Sequence, residues 1–282
     1  MAAARPSLRL PLTFVLVLAA GSPLAQAGSM TPHRAVYDLS MARADRSSGV
    51  TAVSGRMAFE LQGSSCSGWS VSFRIANRFT QAEGDNKVID SRSTSWESGD
   101  GLEMQFSQKE FVDNALQSES RIEAKKASLA AAPSGTITGG DGKDFTLPEG
   151  TVFPMVHQFR LLDAAQAGRS RDVTTVFDGS DGDKVFRAIS FIGKRHAPGS
   201  VADDAANAKA AGLKSLASWP VTVSYYPAGA GTATDSADKP DYQVSFTMYE
   251  NGVSTGLAMD YGDFALKGTL AELDFLPVEK CP

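Results

Sequence analysis

The sequence predicts a mainly β protein, an antiparallel strand set with one amphipathic helix near residues 154–167. Three observations carry this. Apolar residues recur at every second position through most of the chain, which places them on one face of a strand. Clusters of Gly, Asn, Asp and Ser separate these runs at hairpin spacing. Only one segment switches to helical spacing.

The runs begin with Ala35, Tyr37 and Leu39, then Met57, Phe59 and Leu61. The clearest follows: Trp69, Val71, Phe73 and Ile75, with Phe79 beyond, interleaved with Ser70, Ser72, Arg74, Ala76 and Arg78. A turn at 83–86 precedes a strand over 88–96, and Ser98-Gly99-Asp100-Gly101 leads into Leu102, Met104 and Phe106. Runs at 171–177 and 184–194 flank an Asp-rich turn. Late in the chain come Trp219, Val221, Val223 and Tyr225, then Tyr242, Val244, Phe246 and Met248. Asn251-Gly252 is a two-residue hairpin signal before Val253, Thr255, Leu257 and Met259. After the turn Tyr261-Gly262-Asp263, the apolar set changes phase, from Phe264, Leu266 and Leu270 to Leu273 and Phe275, which predicts a β-bulge. The pattern amounts to roughly 12 to 14 strands. They must bury one shared face, so either the sheet curls on itself or two sheets pack together.

The exception to period two is Met155, Phe159 and Leu162, spaced i, i+4, i+7. Pro154 suits a first helical turn and Gly168 the position past the last. The concave side of a curled sheet would accept this stripe. Residues 197–218 read as an Ala-rich insertion, with a short helix around 202–211 or a flap, and 229–240 as an exposed loop.

The N-terminus has the three parts of an export signal: Arg5 and Arg9, an apolar run over 10–20, and Ala25-Gln26-Ala27 as a cleavage site. The run is shorter than the ~20 residues that span a bilayer, and no later segment spans. Position 28 is Gly, so no lipid-bearing Cys follows the cut. The expectation is a leader over 1–27 and a single domain over 28–282, without a transmembrane anchor. In a Gram-negative cell its compartment is the periplasm, where disulfides persist. The whole chain has 27 Lys and Arg against 32 Asp and Glu, net −5, and losing Arg5 and Arg9 takes the mature chain to −7. That charge argues against a nucleic-acid partner and shows no polybasic patch for anionic lipid. Two cysteines in an exported chain favour a bridge, Cys66 to Cys281. They lie too far apart for a redox C-x-x-C motif, so the bond reads as structural, and it brings the C-terminal tail back to the strand at Cys66.

No catalytic apparatus is recognisable. Asp178-Gly179-Ser180-Asp181-Gly182-Asp183 lacks the ligand spacing and closing Glu of a calcium loop, and reads as a turn. Gly139-Gly140-Asp141-Gly142-Lys143 lacks the phosphate-loop spacing. His33, His157 and His196 have no partners at metal-ligand intervals, so neither metal nor cofactor is expected. A hydrolase would require His157 to meet an acid and a Ser or Thr in one pocket. The aromatic and methionine stripes either fill a solid core or line a cavity; Trp69, Phe73, Met155, Phe159 and Leu162 are the candidates to line or cover it.

Cys66-Ser67-Gly68-Trp69-Ser70 ahead of a strand, Cys281 at the extreme end, and the helix start Pro154-Met155-Val156-His157 give the chain a resemblance to the EipB family. These are periplasmic alphaproteobacterial proteins linked to cell-envelope integrity. The resemblance covers the whole mature chain. It implies a β-spiral, or open barrel, of about fourteen strands, similar in outline to the half-barrels of lipoprotein carriers. It also implies a helix in or near the opening and one disulfide, and it brings no catalytic residue. The expected role is non-enzymatic support of the envelope and outer membrane, with an envelope protein or lipid as partner. The alternative is a carrier of a lipid or lipoprotein acyl chain.

Overall fold

A computed structural model describes residues 30–139, 142–200, 212–228 and 239–281. The leader, the short helix expected around 202–211 and most of the loop expected at 229–240 therefore lie outside the described residues. The strands are β1 His33–Ala44, β2 Val50–Ser64, β3 Gly68–Gln81, β4 Lys87–Glu97, β5 Glu103–Val112, β6 Ala115–Lys125, β7 Ser134–Thr138 and β8 Lys143–Thr146. The helix α1, Pro154–Gln166, comes next. It is followed by β9 Arg171–Val176, β10 Val185–Ile192, β11 Ser218–Ala228, β12 Tyr242–Tyr249, β13 Ser254–Asp260 and β14 Phe264–Phe275.

All fourteen strands form one antiparallel sheet in the order β8-β7-β6-β5-β4-β3-β2-β1-β14-β13-β12-β11-β10-β9. The chain starts mid-sheet and winds outward to one edge at β8. It then crosses through α1 to the opposite edge at β9 and winds back until β14 lies beside β1. Two distant edges are thus consecutive in sequence, and the sheet must curl to bring them within reach. Val152, just ahead of α1, makes a parallel bridge to Val176 at the end of β9. The Phe145 and Phe177 rings lie 5.3 Å apart, and Lys143 pairs with Asp183 at 2.8 Å. No ladder joins β8 to β9 among the described residues. The barrel is therefore open in its hydrogen bonding, with side chains spanning the seam.

The period-two reading maps onto this geometry. Ala35, Tyr37 and Leu39 of β1 are buried, as are Trp219, Val221 and Val223 of β11. The predicted phase change in β14 is a bulge: Val36 pairs with Glu272 but Tyr37 with Leu270, so Ala271 is the extra residue. The hairpin at Asn251-Gly252 differs from the two-residue loop predicted. Tyr249 donates its N–H to the Val253 carbonyl, and the loop is three residues, Glu250 to Gly252. Gly252 has φ +86°, the left-handed position that closes three-residue hairpins.

The helix begins and ends as its sequence dictates. Pro154 occupies its first turn, where a missing N–H costs nothing. At the other end Arg169 N–H reaches the Ala164 carbonyl and Gly168 N–H that of Ala165, with Gly168 at φ +70°. This is a Schellman motif. The single stripe expected along α1 is divided between two sets of strands. Met155 and Phe159 pack with Leu61 of β2 and Trp69 of β3. Leu161, Leu162, Ala164 and Ala165 pack into a cluster from β9–β12 that includes Ala188, Val221 and Trp219. The helix therefore bridges the two halves of the curled sheet.

After β14 the chain continues antiparallel to the start of β1, with Leu276 N–H donating to Pro32 O at 2.9 Å. It ends at the turn between β2 and β3, where Cys281 bonds Cys66. The Glu279 carboxylate accepts from the Ser67 hydroxyl there.

Candidate functional site

A cavity of about 230 Å³ opens where the first turn of α1 meets the inner faces of β1, β2, β3 and β13. Its apolar wall includes Tyr37, Met57, Leu61, Val71, Leu257 and Met155, and its polar groups include His33, Ser95, Gln158 and Ser254. The Tyr37 hydroxyl donates to the Ser254 carbonyl at 2.6 Å. His33 shares a hydrogen bond with the Thr31 carbonyl through Nδ1, and burial holds its pKa below the ordinary value. The wall is thus neutral and mostly apolar. Its volume is smaller than the 300 Å³ or so at which ordinary small-molecule sites begin, so it suits a slender chain. Depressions of about 620, 1050 and 630 Å³ lie elsewhere, but each has charged groups in its lining, such as Glu103, Asp183 and Asp100.

Of the five residues singled out in sequence, Met155 lines this cavity. Trp69 and Phe159 pack with Met155, their rings tilted with centroids 5.6 Å apart. Phe73 packs, half-buried, against the β1, β2 and β13 cluster. Leu162 is fully buried in the β9–β12 cluster. Tyr37, Met57, Leu61 and Leu257 were legible as inward-facing positions, but nothing in their spacing indicated a hollow.

The cavity adjoins a buried charge network. Phe153 at the N-cap offers no capping oxygen. Glu97, at the end of β4 and 1% exposed, supplies one instead. Its two carboxylate oxygens each accept from Met155 N–H at 3.0 Å. Burial raises the Glu97 pKa to about 7, against the opposing pull of the Met155 and Val156 N–H groups and of Lys126. Lys126, also buried, donates to the Thr151 carbonyl at 3.0 Å and sits 4.9 Å from the centre of the Phe153 ring. Burial lowers its pKa, with Glu97 opposing.

His157, one turn along α1, is 2% exposed, and burial depresses its pKa to about 4. Asp172 of β9 is close enough to act on it electrostatically, and Ser190 of β10 is the cross-strand neighbour of Asp172. His157 Nε2, Asp172 Oδ2 and Ser190 Oγ are each buried without a hydrogen-bond partner. The three are not bonded to one another, and none lines the cavities described here. The Asp178–Asp183 segment is a turn: Asp178 accepts from Ser180, and Asp181 and Asp183 pair with lysines. No cluster of three metal-ligating side chains exists among the described residues, and no described helix is long and apolar enough to cross a membrane.

The fold and this interior define a class: an open, curled β-barrel with one internal helix and a small apolar hollow. A family model described as EipB-like matches residues 24–277, and the chain belongs to that family. It is 35% identical over 264 residues to the cell envelope integrity protein EipB of Brucella abortus (strain 2308), covering 93% of this chain and 90% of the relative. The crystal structure of a β-barrel-like protein of domain of unknown function DUF1849, also from Brucella abortus, superposes with a TM-score of 0.80 at 33% identity. That match covers 89% of this chain and all of the other.

Proposed function

We propose that this chain is a non-enzymatic periplasmic protein that supports cell-envelope and outer-membrane integrity. It is exported by a leader cleaved after Ala27 and works as one domain from residue 28 onward. The observation that carries this reading is the family membership, with a relative named as a cell envelope integrity protein aligned over nearly its whole length. The export pattern at the N-terminus and the exposed Cys66–Cys281 disulfide fit an oxidising compartment. Deleting the gene should sensitise cells to detergents and to envelope-targeting antibiotics, and the gene in trans should restore resistance. Unchanged sensitivity across several such agents would overturn the reading.

The cavity favours a second reading, in which the protein carries an apolar chain from a lipid or lipoprotein. Its neutral wall and small volume suit one acyl chain inserted past Met155. Native mass spectrometry of protein purified after export should show a bound lipid. Replacing Leu257 with Trp should fill the hollow and remove that species. Protein that is consistently ligand-free, in lipid-rich extracts as well, would dismiss it.

A further inference from the structure

The inner face of the β9–β10 edge is covered by α1, while its outer face is left exposed by the described residues. The outward positions are Arg171 and Val173 of β9 with Arg187, Ile189 and Phe191 of β10, and β11 continues the face through Thr222 and Tyr226. Phe191 is 56% exposed and Val173 44%. Exposed apolar side chains on an edge strand are a liability that proteins retain when the surface has a use. Here they are framed by cations. The Arg171 guanidinium lies 6.0 Å from the Phe191 ring and that of Arg187 5.6 Å from the Tyr226 ring. Exposed Arg169, Lys194 and Arg195 cluster at the same end of the hairpin, just before β9 and just after β10.

No acidic residue occupies an outward position of these three strands. Asp172, the acid of β9, points to the helix side, where Arg160 holds it at 2.9 Å. None of the five cations forms an ion pair with a described residue. An overall acidic chain thus concentrates positive charge, without an acidic partner among the described residues, around an exposed aromatic on the outer side of the sheet. Composition hid this, because the five cations are scattered between 169 and 195 among neighbours that face elsewhere.

We propose that the outer face of β9–β11 is a docking surface for an anionic phospholipid bilayer, with Phe191 and Val173 entering the headgroup layer and the cations meeting phosphates. The charge is complementary, and an exposed ring framed by cations suits the fluid headgroup layer of such a surface. Cations near such a surface add about 1 kcal/mol each, about fivefold in partitioning. This surface is separate from the cavity, and its test does not depend on the envelope phenotype.

The test is co-sedimentation of the exported, purified protein with vesicles of equimolar phosphatidylglycerol and phosphatidylcholine, against vesicles of phosphatidylcholine alone. Binding is expected on the anionic vesicles only, weakened by high salt. The paired variant Arg171→Glu with Arg187→Glu should weaken partitioning at least about 25-fold, from two charges at about fivefold each. Arg171→Lys with Arg187→Lys should keep partitioning within about twofold, since the charge remains. Phe191→Ser should weaken partitioning severalfold and leave its salt dependence in place. If the Glu pair fails to fold by circular dichroism, the Phe191 and Lys variants decide. No binding to anionic vesicles, equal binding to neutral ones, or a folded Glu pair that binds like the parent would overturn the proposal.

Discussion

The Glu97→Gln substitution tests the buried charge network through the pH dependence of stability. Glu97 ordinarily titrates near 4.5 and is raised to about 7 in the fold. Between these values the native state holds a proton that the unfolded chain releases, so stability falls as pH rises through this window. At about 1.36 kcal/mol per pH unit, the loss is about 3 kcal/mol. His157 works in the opposite sense. Its pKa is depressed from 6.5 to about 4, so its contribution is present above 6.5 and lost as pH falls toward 4. The two nearly cancel in the parent protein around pH 5 to 6, and only a difference measurement separates them. The assay is urea denaturation of parent and variant from pH 4.5 to pH 8, reported as the variant's stability minus the parent's. Gln keeps a carbonyl oxygen for the Met155 N–H and carries no charge, so the difference should climb by about 3 kcal/mol across the range. A flat difference would mean that Glu97 is already ionised at pH 5, with the helix N-terminus and Lys126 outweighing burial, and would refute the reasoning.

Three further outcomes follow from packing and covalent structure. Cys281→Ser, or reductant on the native protein, releases a loop of roughly two hundred residues that the chain-entropy model values at about 5 kcal/mol, so the thermal midpoint should drop by roughly 10 °C. An unchanged midpoint would show the bond to be structurally idle. Leu161→Ala removes a side chain with no exposure from the contact between α1 and β9–β12, and should cost about 2–5 kcal/mol in urea denaturation; a cost under about 1 kcal/mol would contradict that packing. Gly252→Ala places a methyl group at φ +86° and against Met30 Sδ, and should destabilise by more than about 1 kcal/mol. Adding Met30→Ala should recover part of that loss, and strictly additive costs would deny the contact.

Much of the fold was legible because its strands are amphipathic. Burial on one face demands alternation, and β1, β3, β11 and β13 display it plainly. The bulge at Ala271 was readable because a single extra residue inverts every side chain beyond it. The stretch from β6 to β8 gave no such signal. Ala115 to Ser118 are all exposed, so neither face needed apolar residues there. The order of strands was beyond reach, because the pairing of β1 with β14 brings together segments more than two hundred residues apart. The helix ends were written locally in Pro154 and Gly168, but its partners were not. The cavity was hidden for a different reason. A hollow and a filled core use the same inward residues, and the difference lies in the distance between β2, β13 and the first turn of α1.

Glu97 shows why the most consequential polar residue of the interior escaped a local reading. A helix on the surface satisfies its first N–H groups with water or a neighbouring Ser, Thr, Asp or Asn. The first turn of α1 lies inside the curl and follows Phe153, so neither source exists, and an uncapped end would leave donors orphaned at about 1–3 kcal/mol each. A carboxyl from β4 answers this only because curling brings β4 over the helix start. The nearby Thr151 carbonyl meets the same need through Lys126, from the end of β6. Both polar side chains are thus required by the backbone they satisfy, while burial opposes the charged form of each. Removing Glu97 outright, as in Glu97→Ala, should therefore cost stability at pH 5, where Glu97→Gln should not.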